Sequence, residues 1–281
     1  TGPDEESTAK YGSMLTEAPA EAGRNFTSEL AHGEYRARVA DGRPGVDPWR
    51  TTRNLLASQP MAFNLFGPLV DDRNRDLATA VLRQIVPDVD QVTLGDIERP
   101  SDALGDRTAF DVYFEYRRND GTTACIAIET KLSEPFSQKA YDWNHYLGSP
   151  GFDPAVWTTA DPGALGNLRW SQLWRNHLLA RAESARRGFD EPTVLVVHHP
   201  QDLACVKTVN GYRQLLRDRD RCRSVDVATV LDAVRTASEP TGVPEWVEEF
   251  ADRYLRFGLS APLAKLHGMR YEGDARRAGL V

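Results

Sequence analysis

The chain has 281 residues, of which 41% are hydrophobic and 27% charged, which predicts one large globular domain, or a core with a helical annex. No apolar run reaches the length of a membrane span, so no membrane partner is expected. The net charge of −7 argues against a protein that coats duplex nucleic acid by bulk electrostatics; it leaves a local basic patch, action on few phosphates at a time, or no nucleic-acid binding at all.

Residues 1–24 are rich in Glu, Ala, Gly, Pro, Ser and Thr without apolar periodicity, and are expected to form a flexible arm. Residues 25–281 are expected to form a single domain, with a C-terminal helical extension from about residue 240. The start lacks the basic and apolar regions of a signal peptide. Cys125, Cys205 and Cys222 are widely separated and make no zinc set. Both features predict a reducing, cytoplasmic setting.

In chain order, 28–40 reads as a helix capped by Thr27 or Ser28. Residues 41–48 read as a loop and 49–57 as a short helix. Ser58 is expected to cap a helix with Pro60 in its first turn. Residues 71–86 place Leu77, Val81, Leu82 and Ile85 on one helical face. Strands are expected at Val92–Glu98, Ala109–Arg117, Thr122–Lys131, Thr193–His199 and Ser224–Ala228. Helices are expected at 168–187, 208–221, after Ala228 to about 237, and 244–257. This mixture predicts an α/β (α+β) fold with a mixed central sheet flanked by helices.

The most informative stretch is the pair 110–116 and 122–131, two period-2 runs around Asn119-Asp120-Gly121. A three-residue loop with Gly in the left-handed position closes a hairpin. Arg118 then lies opposite Thr122, and Asp111 opposite Glu129. Phe110, Val112, Phe114 and Tyr116 share an apolar face with Ala124, Ile126 and Ile128. A two-residue loop would set each apolar face beside the partner's polar face, which a half-buried hairpin rejects. Lys131, two residues beyond Glu129, points to the same side. Two opposed carboxylates repel unless a cation or a proton intervenes. Hard oxygen ligands suit Mg²⁺ or Mn²⁺, which makes Asp111 and Glu129 candidate metal ligands.

Asp111 followed by Glu129-Thr130-Lys131 at the end of an apolar strand resembles the PD-(D/E)xK nuclease superfamily, with its restriction-endonuclease-like fold. Phe110 stands where that motif has proline. The resemblance implies that Asp111, Glu129 and Lys131 are the catalytic set, that the cofactor is Mg²⁺ or Mn²⁺, and that the substrate is nucleic acid, with DNA favoured and RNA the alternative. Ser58-Gln59 through Asn64-Leu65-Phe66, and Gln172 to His177, are similar to stretches of bacterial restriction-type endonucleases. This implies that Ser58, Gln59, Asn64, Gln172 and Arg175 lie near the substrate. A role in defence or repair follows, alone, as a homodimer or within a complex. In this family a helix before the first strand often carries a further acidic residue. Glu29, Glu34, Asp72 and Asp76 are the candidates, and Asn64 could stand in that place instead.

The triplet alone is weak, because 41 acidic residues and five lysines give roughly 0.7 such triplets by chance. An ordinary salt-bridged hairpin would produce the same letters. His198 and His199 point to opposite faces of a strand and read as structural. The arginines at 169, 175, 181, 186 and 187 either grip phosphates or form a solvated helix face. Trp143, Trp157, Trp170 and Trp174 suit core packing better than base stacking. A non-catalytic nucleic-acid-binding or assembly subunit that keeps the fold is the alternative to an enzyme, and the acidic charge favours it.

Overall fold

The computed structural model describes residues 13–106, 108–139, 141 and 143–260. Its sheet has five strands in sequence order: β1 (Val89–Ser101), β2 (Thr108–Arg118), β3 (Thr123–Lys131), β4 (Thr193–His198) and β5 (Cys222–Asp226). β1, β2 and β3 are antiparallel neighbours, while β3, β4 and β5 run parallel. The α/β architecture expected from the sequence is therefore present.

The β2–β3 register is the one the apolar alternation selects. Val112 faces Ile128, Phe114 faces Ile126 and Arg117 faces Thr123. The turn closes through Arg118 N–H donating to Thr122 O at 2.8 Å, with Gly121 at φ +86°. Only glycine takes that conformation at no steric cost.

Both faces of the hairpin are buried, not one. On the first face Val112, Phe114, Tyr116, Ala124, Ile126 and Ile128 meet α2 (Glu29–Ala40), α4 (Ser58–Val70), α5 (Arg75–Ile85), α10 (Val227–Ser238) and α11 (Glu245–Tyr254). On the second face Tyr113, Cys125 and Ala127 lie under α8 (Ser171–Arg187) and α9 (Leu203–Arg213). Parallel pairing on one side of β3 requires crossover helices, and these cover the face that alternation alone leaves to solvent. Phe110 departs from its expected face: it packs with Tyr113 on the second side, ring centroids 5.1 Å apart. The strand changes face at Asp111, just where backbone pairing to β3 ends.

Other boundaries moved for local reasons. The helix expected at 208–221 runs from Leu203 to Arg213, because Asp202 caps it by accepting Cys205 N–H at 2.8 Å. β5 begins at Cys222 rather than Ser224. Ser58 opens α4 but does not cap it; Ala57 holds that place. Within the expected arm, α1 (Glu17–Glu21) is a helix, and Leu15 and Leu55 exchange backbone bonds with Arg53 and Ser13. The rest of that arm, residues 1–12, and the tail from 261 lie outside the described residues.

α4 is mostly buried, and its position is set by a close crossing with α2. A Cβ on Gly67 would sit 2.8 Å from Ala31 Cα. Gly67→Val is expected to lower stability by about 2 kcal/mol or more. Urea denaturation of metal-free protein checks this, and an unchanged midpoint would refute the crossing as the constraint.

Candidate active site

The site lies where β2 and β3 part, beside the N-terminal halves of α4 and α8. β3 alternates, so Glu129 and Lys131 face α8. Glu129 and Lys131 are both nearly buried, and Lys131 Nζ donates to Glu129 Oε1 at 2.7 Å. Gln172 Nε2 donates to the same oxygen at 2.7 Å, and Asn176 Nδ2 donates to Oε2 at 2.7 Å. Gln172 Oε1 in turn accepts Ser137 N–H at 2.7 Å and stands 3.5 Å from Lys131 Nζ. Gln172 and Asn176 are one helical turn apart, so one face of α8 supplies both amides.

Asp111 occupies the next strand. The β2–β3 ladder ends at Val112 and Ile128, one residue short of Asp111 and Glu129. Asp111 Oδ2 accepts Thr130 N–H at 2.8 Å and Thr130 Oγ1–H at 2.9 Å, taking over where the ladder stops. Asp111 and Glu129 line one small pocket of about 10 Å³, the size that admits a single water-like sphere. The protein around its carboxyl, and then the charge of Glu129, push Asp111 up to about 7. Burial pulls Lys131 down, but Glu129 and Asp111 more than offset it and hold the ammonium above its ordinary value.

A third carboxylate is present that motif reading missed. On the β1–β2 ladder Ile97 faces Val112 and Arg99 faces Phe110, which sets Glu98 opposite Asp111. Glu98 is 5% exposed, and burial, then the charge of Asp111, push its carboxyl well above the usual range. The only sequence signal was its place at the end of an expected strand, whose register was unknown.

The predicted contacts divide clearly. Gln172 meets Glu129 and Lys131. Ser58 N–H and Oγ reach Glu134 Oε1 at 3.0 and 3.4 Å, and Gln59 Nε2 donates to Glu98 Oε1. Asn64 is not brought to the site. It is fully buried and joins Thr27 N, Asn25 O and the Tyr254 hydroxyl, so it does not stand in for an acidic partner. Arg175 is committed elsewhere, to Asp106 at 2.8 Å, Thr108 and Tyr146. Arg181, Arg186 and Arg187 are likewise ion-paired, to Glu191, Asp102 and Glu115. The four acidic candidates are also absent from the site. Glu34 binds Arg38 at 2.7 Å, Asp72 pairs with Arg75, and Glu29 and Asp76 are exposed.

Lys131 also lines a larger groove of about 690 Å³, whose walls include Glu134, Phe136, Arg169, Gln201 and Leu203. Arg169 is exposed and has no acidic partner among the described residues. Trp157 and Trp174 are fully buried, and Trp143 packs on Trp174 at 4.7 Å.

A strand-end Glu-x-Lys, an aspartate across the hairpin and a mixed five-stranded sheet define a recognisable core. The family model of the PD-(D/E)XK nuclease superfamily matches residues 1–256. The chain belongs to this superfamily. Its members generally use divalent metals. No curated protein and no solved structure matches the chain. Among the described residues no group of three or more His, Cys, Asp or Glu side chains is placed to hold a metal ion. An ion that takes one or two carboxylates and keeps its waters does not need one. Asp111 and Glu129 fit such an ion, being hard oxygen donors at a shared pocket where negative charge is under-compensated.

The raised Asp111 carboxyl sets a pH dependence. A carboxyl whose folded value lies above its ordinary 3.8 contributes stability at low pH, which is lost as pH rises through about 7. Metal-free wild type is therefore expected to lose stability relative to Asp111→Asn between pH 5 and 8, as read by urea unfolding. Parallel pH profiles for the two proteins would remove the assignment.

Proposed function

We propose that the chain hydrolyses phosphodiester bonds in nucleic acid, DNA in preference to RNA, with Mg²⁺ or Mn²⁺ held by Asp111 and Glu129. The observation that carries this reading is the set itself: Asp111 beside Glu129 at one pocket, with Lys131 on the Glu129 carboxylate, at the end of a covered sheet. An ordinary hairpin ion pair has no need of a second, unpaired carboxylate beside it.

A bound divalent cation supplies positive charge that polarises the phosphodiester and stabilises the charge developing on it. The chain's own groups do the rest. Lys131 is kept cationic and opens on the groove, where its ammonium meets the phosphate or the attacking water. Gln172 and Asn176 fix the Glu129 rotamer, and Thr130 fixes Asp111, so both carboxylates are pre-positioned. Arg169 on the groove wall offers a local cation for a neighbouring phosphate, which suits a protein of net charge −7. The likeness to restriction-type endonucleases supports a place in defence or repair of DNA.

A second reading, a nucleic-acid-binding subunit without catalysis, has one observation in its favour. Both Glu129 oxygens already accept hydrogen bonds from Lys131, Gln172 and Asn176. Cleavage assays separate the two. Wild type with Mg²⁺ or Mn²⁺ is expected to cut plasmid DNA, and faster than RNA. Lys131→Met is expected to lower the rate at least about 100-fold, with an unchanged circular dichroism spectrum. Full wild-type cleavage in EDTA, or full-rate cleavage by Lys131→Met, would sink the mechanism; binding of DNA without cleavage in any divalent ion would favour the second reading.

A further inference from the structure

The groove beside Lys131 carries more exposed apolar surface than the binding of phosphate requires. Six large hydrophobic residues are exposed among the described residues, and four of them border this groove. Leu203 lines it and is 75% exposed. Leu168 O accepts from Gln138 Nε2 on the groove wall at 3.5 Å, and Leu56 O accepts from Ser133 Oγ on the wall at 3.0 Å. Trp49 precedes Arg50, whose guanidinium pairs with Glu134 on the wall. Exposed leucines scattered singly mean little, but apolar side chains gathered at a cleft mark a surface that is covered in use.

The charges of the groove narrow what covers it. Its acidic residues are engaged, Glu134 with Arg50 and Ser58, and Asp202 with Cys205 N–H at the start of α9. Lys131 and Arg169 are the wall cations left to meet a ligand, enough for one or two phosphates. The arginines of α8 that could extend a phosphate track, at 175, 181, 186 and 187, are held in ion pairs. A duplex carries one charge per about 1.7 Å of its axis and hides the faces of its bases by stacking, so it matches neither the sparse cations nor the apolar rim. The groove measures about 690 Å³, within the range of about 300–1,000 Å³ that encloses one small ligand. A strand with its bases unstacked supplies both features: few phosphates, and apolar base faces that pack on side chains whatever the sequence.

We propose that this groove receives one or two unstacked bases of a single strand beside the cleaved phosphate, with Leu203 as the main apolar contact and Arg169 on the neighbouring phosphate. The preferred substrate is then DNA that is unpaired next to the scissile bond, as in an overhang, a flap or a bubble. A supercoiled plasmid meets this requirement where negative supercoiling opens the helix. The inference rests on the nucleic-acid reading above and narrows its substrate.

The test is fluorescence anisotropy with Ca²⁺ in place of Mg²⁺, the probes being checked on a gel for intact strands. The probes are a labelled single strand, the blunt duplex of the same sequence, and an abasic strand of the same length. Wild type is expected to hold the single strand at least about tenfold tighter than the other two. Its salt dependence is expected to be shallow, with a log–log slope of about −0.7 per phosphate contacted, or about −1.4 for two. Leu203→Ser is expected to weaken single-strand binding about fivefold or more, and Leu203→Met to stay within about twofold of wild type. Arg169→Gln is expected to reduce the slope by about one phosphate. A duplex or abasic strand held as tightly as the single strand overturns the proposal, as does unchanged affinity in Leu203→Ser. Self-association that Leu203→Ser abolishes, without single-strand binding by wild type, assigns the rim to a protein contact and overturns it too. Wild type that binds no probe overturns the nucleic-acid reading as well. A single strand that is bound as expected but cut in no divalent ion sinks the hydrolysis reading and leaves this inference standing.

Discussion

The constraint on which the site depends is the burial of negative charge at the end of an apolar sheet. Strands β1 to β3 are held by hydrophobic contacts on both faces, and those contacts leave no freedom of register. A slip of one residue would exchange Val112, Phe114 and Ile126 with Tyr113, Glu115 and Cys125, and turn every side chain to the opposite face. The core therefore holds Asp111 beside Glu129 against their mutual repulsion. Packing supplies the free energy, and the chemistry of the site is what that free energy holds in place.

Hydrogen bonds then set the fine geometry. Thr130 fixes Asp111 through both its backbone N–H and its hydroxyl. α8 contributes Gln172 and Asn176, and through Gln172 it also holds Ser137 in the segment after β3. Glu134, in that same segment, gathers Ser58 and Arg50. The loop leaving Lys131 is therefore anchored to α4, α8 and the short helix Pro48–Arg53 rather than left free. A preorganised donor set of this kind costs no rearrangement when charge develops on a substrate.

Much of this was legible in the sequence where the signal was local. The hairpin register followed from the alternation of Val112, Phe114 and Tyr116 with a Gly-containing turn, whereas Asp111 lies one residue past the end of that ladder and meets Glu129 at a shared pocket. Gln172 was singled out by resemblance, but Asn176 was not, although it lies one turn further along the same helix. What failed to show was non-local. Glu98 comes beside Asp111 only through the β1–β2 register, which spans a connection with no diagnostic turn. The family resemblance implies that Asn64 and Arg175 lie at the site. Asn64 is claimed by Asn25, Thr27 and Tyr254, and Arg175 by Asp106, all brought close only by the fold. The second buried face was hidden because Tyr113, Cys125 and Ala127 alternate with charges that find ion pairs, such as Glu115 with Arg187.

One side chain joins the irregular part of the chain to the regular part. The Gln59 amide carbonyl accepts from Asp47 N–H at 3.0 Å and from the Thr51 hydroxyl, while its nitrogen reaches Gly45 O and Glu98. The Pro-Gly-rich segment before α4 is thereby measured against a residue in the sheet. Surface loops ordinarily accommodate insertions at small thermodynamic expense. This one does not have that latitude. Descendants of the sequence can lengthen the β2–β3 turn at Asn119–Gly121, far from the site, yet an added residue between Gly45 and Thr51 would be transmitted through one amide to Glu98.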